Sequence, residues 1–146
     1  MTSLKSNQFL TNRAWFKAVL GNEDVILRHT SALEHLQLFL GYVNENKIDV
    51  YAKEQGLYEN INYHLVDTFD GIDYVEIRGF RCTSINQTFN DMFDNFDEID
   101  EQSLIEGLAK YYFLNGESFD GLIIKPENMD LFHSCKEWAM EYYSGG

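Results

Sequence analysis

Apolar and polar residues alternate with a period of two in the middle of the chain, and helical spacing flanks this region on both sides. Alternation of this kind predicts strands that bury one face. The alternating segments are residues 48–52, 61–66, 72–77 and 80–83. Gly71 and Gly79 punctuate them, so we expect consecutive strands to pair as an antiparallel meander. Two short apolar runs, 25–27 and 122–124, predict a further strand at each side.

Apolar residues recur at spacings of three and four in five other segments, which predicts amphipathic helices. These segments are residues 8–20, 31–40, 85–96, 101–112 and 126–142. Ser31 and Ser84 each begin a capping box, in which a serine hydroxyl and an acidic or amide side chain three residues later cap the helix start. Asp100 is expected to cap the fourth helix. Pro126 suits the first turn of the fifth helix.

The order of these elements predicts an α+β fold with a small, mostly antiparallel central sheet flanked by about five helices. The chain has 146 residues, of which 45% are hydrophobic and 15% aromatic, a composition that can supply a sizeable core. It contains one proline, Pro126, and no low-complexity stretch that would indicate a linker. We therefore expect a single domain over residues 1–146.

Hydropathy and cysteine usage predict a cytoplasmic protein. No apolar run approaches the about 18 residues of a membrane span, and residues 1–12 lack the apolar stretch of a signal peptide. We accordingly expect no membrane partner. Cys82 and Cys135 do not have zinc-site spacing and lie in apolar patterns, which favours buried, reduced thiols. A disulfide is the alternative for an exported protein.

The net charge of −13 is unevenly distributed. Residues 1–28 carry four basic and two acidic side chains, a sum of +2, so the other 118 residues sum to −15. Such a field disfavours nonspecific contact with nucleic acids or anionic membranes. It favours a basic protein partner. It would also allow the chain to mimic nucleic acid when it binds such a protein. Solubility alone is the simpler explanation.

No catalytic, metal-binding or phosphate-binding motif stands out. The four histidines form no HxxxH, HExxH or HxH pair, and the chain has no GxSxG, GxGxxG or P-loop pattern. We therefore expect no catalytic residues, no metal and no cofactor. His29 and His35 are expected at the surface or at helix caps, and His64 in a half-buried strand position.

One imperfect nuclease-like pattern remains as an alternative. Some metal-dependent nucleases use an Asp and a Glu-x-Lys on adjacent strands, where the carboxylates hold Mg²⁺. Here Asp73 and Glu76 would supply the carboxylates, and Arg78 stands where the lysine would be. Arginine does not readily release a proton, and the two acids alternate along one strand. A divergent or degenerate nuclease is therefore only an alternative.

Six acidic residues are concentrated within eleven positions around the junction of the third and fourth predicted helices. They are Asp91, Asp94, Asp97, Glu98, Asp100 and Glu101. Their spacing does not match an EF-hand loop, which needs a central glycine and a terminal glutamate. Residue by residue, a solvated turn next to a helix start explains them. Their density also predicts a docking surface for a basic partner.

The stretch Arg81-Cys82-Thr83-Ser84, followed by Thr88-Phe89-Asn90-Asp91-Met92, resembles the AbiEi-type antitoxins of bacterial abortive-infection systems. In those proteins a strand-to-helix junction with a basic residue and Thr/Ser-Ser/Pro precedes a hydrophobic helix that ends in Asp-Leu or Asp-Met. The earlier stretch Thr30-Ser31-Ala32-Leu33-Glu34 is similar to their Ser-Ala-Leu helix start. The resemblance spans residues 27–109, and Arg81, Thr83 and Ser84 are its motif positions.

The resemblance implies an antitoxin that is partnered with a nucleotidyltransferase toxin, usually encoded beside it. Such antitoxins join an N-terminal winged helix, which binds DNA, to a C-terminal antitoxin domain. Only 26 residues precede the resembling region here, fewer than a winged helix requires. We therefore expect the antitoxin domain without the winged helix. Net acidity independently argues against direct DNA binding.

These observations together predict a non-enzymatic, antitoxin-like protein that neutralises a cognate nucleotidyltransferase-type toxin. An acidic inhibitor that mimics nucleic acid is one alternative. A divergent nuclease that uses Asp73 and Glu76 is the other.

Overall fold

The computed structural model describes residue 20, residues 23–39 and residues 48–142. These residues form an α+β arrangement around one five-stranded sheet. The strands are β1 (Val25–Leu27), β2 (Ile48–Ala52), β3 (Ile61–Leu65), β4 (Tyr74–Ile77) and β5 (Phe80–Thr83). Their order across the sheet is β3-β2-β1-β5-β4, so β1 lies at the centre and β4 at one edge.

The sheet is mixed, and the prediction of a mostly antiparallel meander was wrong. β1 pairs antiparallel with β2, and β4 with β5, but β1 runs parallel to β5 and β2 parallel to β3. Segment 53–60 makes the parallel β2–β3 pair possible. Its eight residues are long enough to run back along β2, so that β3 can begin beside the first residue of β2. Eight extended residues span about 26 Å, whereas a five-residue strand spans about 17 Å.

The described residues contain four α-helices rather than about five. They are α1 (His29–His35), α2 (Ile85–Asp94), α3 (Glu101–Leu114) and α4 (Met129–Glu141). Short 3₁₀ turns, Phe96–Glu98 and Pro126–Asn128, precede α3 and α4. The helix predicted over residues 8–20 lies, apart from Leu20, outside the described residues.

Residues 122–124 do not form the predicted strand. Side chains of α2 hold this segment in place of a neighbouring strand. The Asn90 Nδ2 donates to the Ile123 carbonyl at 2.8 Å, and the Lys125 amide donates to the Asn90 Oδ1 at 2.9 Å. The Ile123 amide donates to the Asn86 Oδ1 at 2.8 Å. Because two asparagines satisfy these backbone groups, the apolar run needs no partner strand.

The predicted cap at Asp100 is confirmed, and the capping box at Ser84 is confirmed in its serine half only, because the Ser84 amide donates to the Asp73 carbonyl rather than to Gln87. The Ser84 Oγ accepts from the Gln87 amide at 3.2 Å, and the Asp100 Oδ1 accepts from the Gln102 amide at 3.1 Å. The capping box at Ser31 was wrong, because α1 begins at His29 and places Ser31 in its first turn. There the Ser31 Oγ accepts from the Asp49 amide at 2.9 Å and ties α1 to β2.

α1 joins the two apolar clusters of the molecule. Its Ala32 packs on the sheet face that carries Val25, Leu27, Val50 and Cys82. The neighbouring Leu33 belongs to the cluster formed by α2, α3 and α4, which contains Phe89, Leu104, Leu108 and Phe132. Helices α1 and α2 both approach α3 closely at Gly107. A Cβ added at Gly107 would lie 3.0 Å from the Leu33 Cδ1 of α1 and 3.4 Å from the Phe89 Cε1 of α2. Glycine therefore allows the three helices to meet.

Candidate functional site

The acidic segment lies where α2 ends, the 3₁₀ turn Phe96–Glu98 follows and α3 begins. The structure exposes five of the six predicted partner-binding residues, namely Asp94, Asp97, Glu98, Asp100 and Glu101. The sixth, Asp91, is only 6% exposed. Its inclusion in a docking surface was wrong, because residue 91 lies on the buried side of α2 rather than in the turn.

Asp91 stabilises the contact between α2 and the sheet. The Tyr51 hydroxyl donates to its Oδ2 at 2.7 Å, and the Gln87 Nε2 donates to its Oδ1 at 2.9 Å. Burial raises the pKa of Asp91, while these two hydrogen bonds oppose the rise. The Asp91 carboxyl therefore belongs to a buried network and not to the exposed acidic surface.

The other five acids differ in whether a neighbouring cation or hydrogen-bond donor already occupies the carboxylate. Asp94 accepts from the Lys125 Nζ at 2.7 Å and from the Asn128 Nδ2 at 3.0 Å. Slight burial raises the pKa of Asp94, but these hydrogen bonds outweigh it and hold the pKa below its ordinary value. Asp100 caps α3.

Asp97, Glu98 and Glu101 form no ion pair with any residue that the structure describes. Together with Asp94 and Asp100 they are called the acidic surface below.

A hollow of about 480 Å³ opens beside this surface. Three carboxylates, those of Asp94, Asp97 and Glu98, lie along it. The remaining lining residues are Phe93, Asn95, Phe96 and Leu131. Lysine and arginine have apolar stems and charged ends, so a site that combines apolar walls with carboxylates can hold such a side chain. The geometry thus suits a basic group of a partner.

A buried polar cluster lies where β1 meets α1, on the same side of the sheet as Asp91. Arg28 is only 5% exposed. Its guanidinium stacks over the Tyr51 ring at 4.6 Å, and its Nη2 donates to the His29 Nε2 at 3.0 Å. Within the described part of the chain, the Arg28 Nε has no hydrogen-bond partner. Tyr51 thus links the Arg28 cation to the Asp91 carboxyl without a direct ion pair.

His29 and His35 were expected at the surface or at helix caps. They are the first and last residues of α1, next to its caps Arg28 and Leu36, but both are buried rather than at the surface. Burial and the neighbouring Arg28 cation lower the pKa of His29 to about 3, so its imidazole is neutral and can accept from Arg28. The His35 Nε2 lies 2.7 Å from the Ile77 carbonyl oxygen, a distance that indicates donation to it. His64 is exposed rather than half-buried, and its ring contacts Tyr51 edge-on.

A sequence signal for this cluster existed but is weak. Arg28 and His29 adjoin the apolar run of β1, and the start of α1 at residue 29 buries both side chains. His29 has a φ of +50°, a left-handed conformation that is uncommon for residues other than glycine, although histidine, like asparagine and aspartate, adopts it more often than most. Sequence spacing does not indicate such a conformation at a histidine.

The motif positions of the resemblance have local structural roles. Arg81 pairs with Asp24 and lies over the Phe69 ring at 5.4 Å. The Thr83 and Thr88 hydroxyls are buried 2.5 Å apart, and Ser84 caps α2. These contacts secure the junction between β5 and α2.

The structure does not bring Asp73 and Glu76 together. Asp73 precedes β4 and lines a hollow with Val75 and Ile77, whereas Glu76 lies opposite Arg81 in the β4–β5 pair. Alternation along a strand places them on opposite faces. Within residues 23–39 and 48–142, no group of three or more His, Cys, Asp or Glu side chains is placed to hold a metal ion.

Both cysteines are buried and unpaired, and burial raises the pKa of each thiol to about 11. They are therefore protonated at neutral pH, as expected of structural thiols. Among the described helices, none combines the length and the apolar character needed to cross a membrane.

Comparison of the chain with models of known protein families finds no matching family. Comparison with curated proteins finds no match either.

Proposed function

We propose that this chain is a non-enzymatic, antitoxin-like protein that neutralises a cognate nucleotidyltransferase-type toxin by binding a basic surface on it. The observation that carries the proposal is the hollow beside the acidic surface, in which the carboxylates of Asp97 and Glu98 lie next to Phe96 and Leu131. Carboxylates that no described cation neutralises are free to pair with a partner.

The placement of the resembling stretches is consistent with this proposal. The Ser-Ala-Leu stretch forms α1, and the stretch after Ser84 forms α2. Leu33 from the first and Phe89 from the second meet over Gly107. Two separate motifs of the resemblance thus contribute to one packed unit, as expected if they are parts of a shared fold.

A nucleic-acid mimic is the second candidate, because it would use the same exposed carboxylates. It differs from the antitoxin in its partner, which would be an enzyme that acts on DNA or RNA. Such an inhibitor would compete with nucleic acid for that enzyme, and the competition would weaken as salt rises. Nuclease activity has less support, since Asp73 and Glu76 lie on opposite faces of β4.

Co-expression tests the proposal. Cells that express a nucleotidyltransferase gene encoded beside this chain should stop growing, and this chain should restore growth. Asp97→Lys/Glu98→Lys should abolish the rescue, because it reverses two carboxylates at the hollow.

Asp67→Lys/Asp70→Lys is the matched control, since it changes the net charge equally at two exposed positions outside the hollow. The antitoxin proposal fails if the neighbouring gene is harmless, or stays toxic when this chain is present. Equal loss of rescue in both double variants would instead indicate a nonspecific charge effect.

A further inference from the structure

β4 is an edge strand with exposed apolar side chains. It pairs with β5 on one side, and no described strand pairs with it on the other. Tyr74 is 41% exposed and Val75 is 38% exposed, so apolar surface is open on both faces of the strand. β4 contains neither proline nor lysine, two residues that commonly prevent edge pairing; its protection against pairing is limited to its length of four residues and the charge of Glu76. Its outer edge can therefore accept a further strand.

An apolar hollow of about 510 Å³ lies along one face of this edge. Val75 and Ile77 of β4 line it, with Ile85 of α2 and Tyr111 of α3 across from them. A strand that adds to β4 directs every second side chain towards this face. The hollow would receive apolar side chains from such a strand.

The charges around the edge are acidic. Asp73 lines the hollow, and Glu76 lies on the other face of β4. Neither carboxylate forms an ion pair with a residue in the described part of the chain. The nearby cations are engaged elsewhere, since Arg78 donates to the His35 carbonyl at 2.8 Å and Arg81 pairs with Asp24.

We propose that β4 binds an extended segment of a partner protein in which apolar and basic residues alternate. The segment adds as a sixth strand, places its apolar side chains in the hollow and directs its cations to the opposite face, where Glu76 lies. Backbone hydrogen bonds supply affinity in this mode, and the side-chain contacts supply specificity. That the partner is a toxin rests on the proposed function, whereas the binding mode does not.

Charge argues against a second copy of this chain at the same edge. Antiparallel pairing of β4 with its own copy would place both Glu76 carboxylates on one face of the joined sheet and both Asp73 carboxylates on the other. Like charges across a strand pair are destabilising. Each chain also carries a net charge of −13. A basic segment removes this repulsion, so it is the occupant that the surface fits.

A synthetic peptide tests the inference without the toxin. We would titrate the full chain with a capped seven-residue peptide of alternating lysine and valine, and follow amide hydrogen exchange over residues 74–77. Binding should slow exchange of those amides, and the affinity should fall as salt rises. The matched peptide replaces every valine with proline, which keeps the charge but removes backbone donors. That peptide should not bind.

Two variants locate the site. Val75→Lys places a cation in the hollow and should weaken peptide binding about tenfold or more, which corresponds to about 1.4 kcal/mol. Glu76→Lys changes an exposed carboxylate and should have an effect of the same sign. Asp97→Lys/Glu98→Lys, which alters the separate acidic surface, should bind the peptide with at most the small loss expected from reduced net charge.

The inference and the proposed function can fail separately. Unchanged exchange over residues 74–77, or equal binding by wild type and by Glu76→Lys, overturns the inference whatever the rescue assay gives. Protection of these amides that grows with protein concentration, without peptide, also overturns it in favour of self-association. Peptide binding without toxin rescue leaves the inference standing and overturns the proposed function.

Discussion

At the residue scale, buried polar side chains determine how stability depends on pH. His29 is buried beside the Arg28 cation, and its pKa is lowered to about 3. Glu34, on the same helix, has a pKa raised by burial to about 7. The two groups act in opposite directions. His29 resists protonation in the folded state, whereas Glu34 resists ionisation.

We predict that the His29 contribution to the free energy of unfolding falls as the pH drops below about 6.5, the ordinary histidine pKa, while Glu34 contributes in the opposite direction between about pH 7 and pH 4.5. Protons then bind His29 in the unfolded chain but not in the folded protein. The contribution is fully present above pH 6.5 and is lost towards pH 3. Between pH 7 and pH 4 the loss is about 3 kcal/mol. Denaturant unfolding at several pH values measures it.

His29→Asn should remove that contribution, so its difference in unfolding free energy from wild type should change with pH; asparagine does not titrate and tolerates the left-handed backbone. A difference that stays constant with pH would contradict the assignment to His29. Glu34→Gln is the opposite case. In wild type, the buried Glu34 carboxyl reduces the free energy of unfolding only as the pH rises from about 4.5 through about 7. Glu34→Gln should therefore gain stability relative to wild type over that pH range.

Tyr51→Phe should destabilise the fold by about 1–3 kcal/mol, because it leaves the buried Asp91 Oδ2 without its donor. The matched control is Tyr111→Phe, which removes a hydroxyl hydrogen bond to the Asp120 carbonyl in an exposed setting. Water can replace that bond, so its loss should cost less. Equal unfolding free energies for the two variants would show that burial at Tyr51 is not decisive.

At the element scale, short-range signals predict helices better than strand pairing. The side-chain caps at Ser84 and Asp100 use only atoms within three residues, and both are confirmed. At Ser31 the predicted cap does not form. The Ser31 hydroxyl instead accepts from the Asp49 amide, which is eighteen residues away in the chain. Strand partners are equally nonlocal, which is why the mixed sheet differs from the predicted meander.

Ser84→Ala should lower the free energy of unfolding by about 1 kcal/mol, because the Gln87 amide loses its acceptor at the start of α2. Thermal melting measures the effect. Ser84→Asp retains a capping oxygen and should recover most of the stability. If alanine and aspartate behave alike, the cap does not stabilise α2.

At the scale of the whole molecule, net charge opposes compaction. The chain has 24 acidic and 11 basic residues, and the acidic surface concentrates several of the acids. Self-repulsion of this kind is screened by salt. The sequence predicted five of the six surface positions, because charge density in a turn between helices usually remains exposed. It did not predict the burial of Asp91, which depends on how α2 rotates onto β2.

We predict that the melting temperature rises when NaCl is increased from about 0.02 M to about 0.5 M, where the screening length falls below about 10 Å. Asp97→Lys/Glu98→Lys should melt higher than wild type at low salt and gain less from added salt, since it removes part of the repulsion. A melting temperature that falls with salt would mean that attractive ion pairs outweigh the repulsion.

The sequence by itself determined the α+β class, the segments that form β1, β2 and β5, the starts of α2 and α3, and the acidic surface. Periodicity, caps and charge density act over a few residues, so they can be seen without a fold. Only the tertiary structure decided the mixed sheet, the open edge of β4 and the cluster of Arg28, His29, Tyr51 and Asp91. Those features join residues that are distant in the chain, and the packing of α1 and α2 on the sheet brings them together.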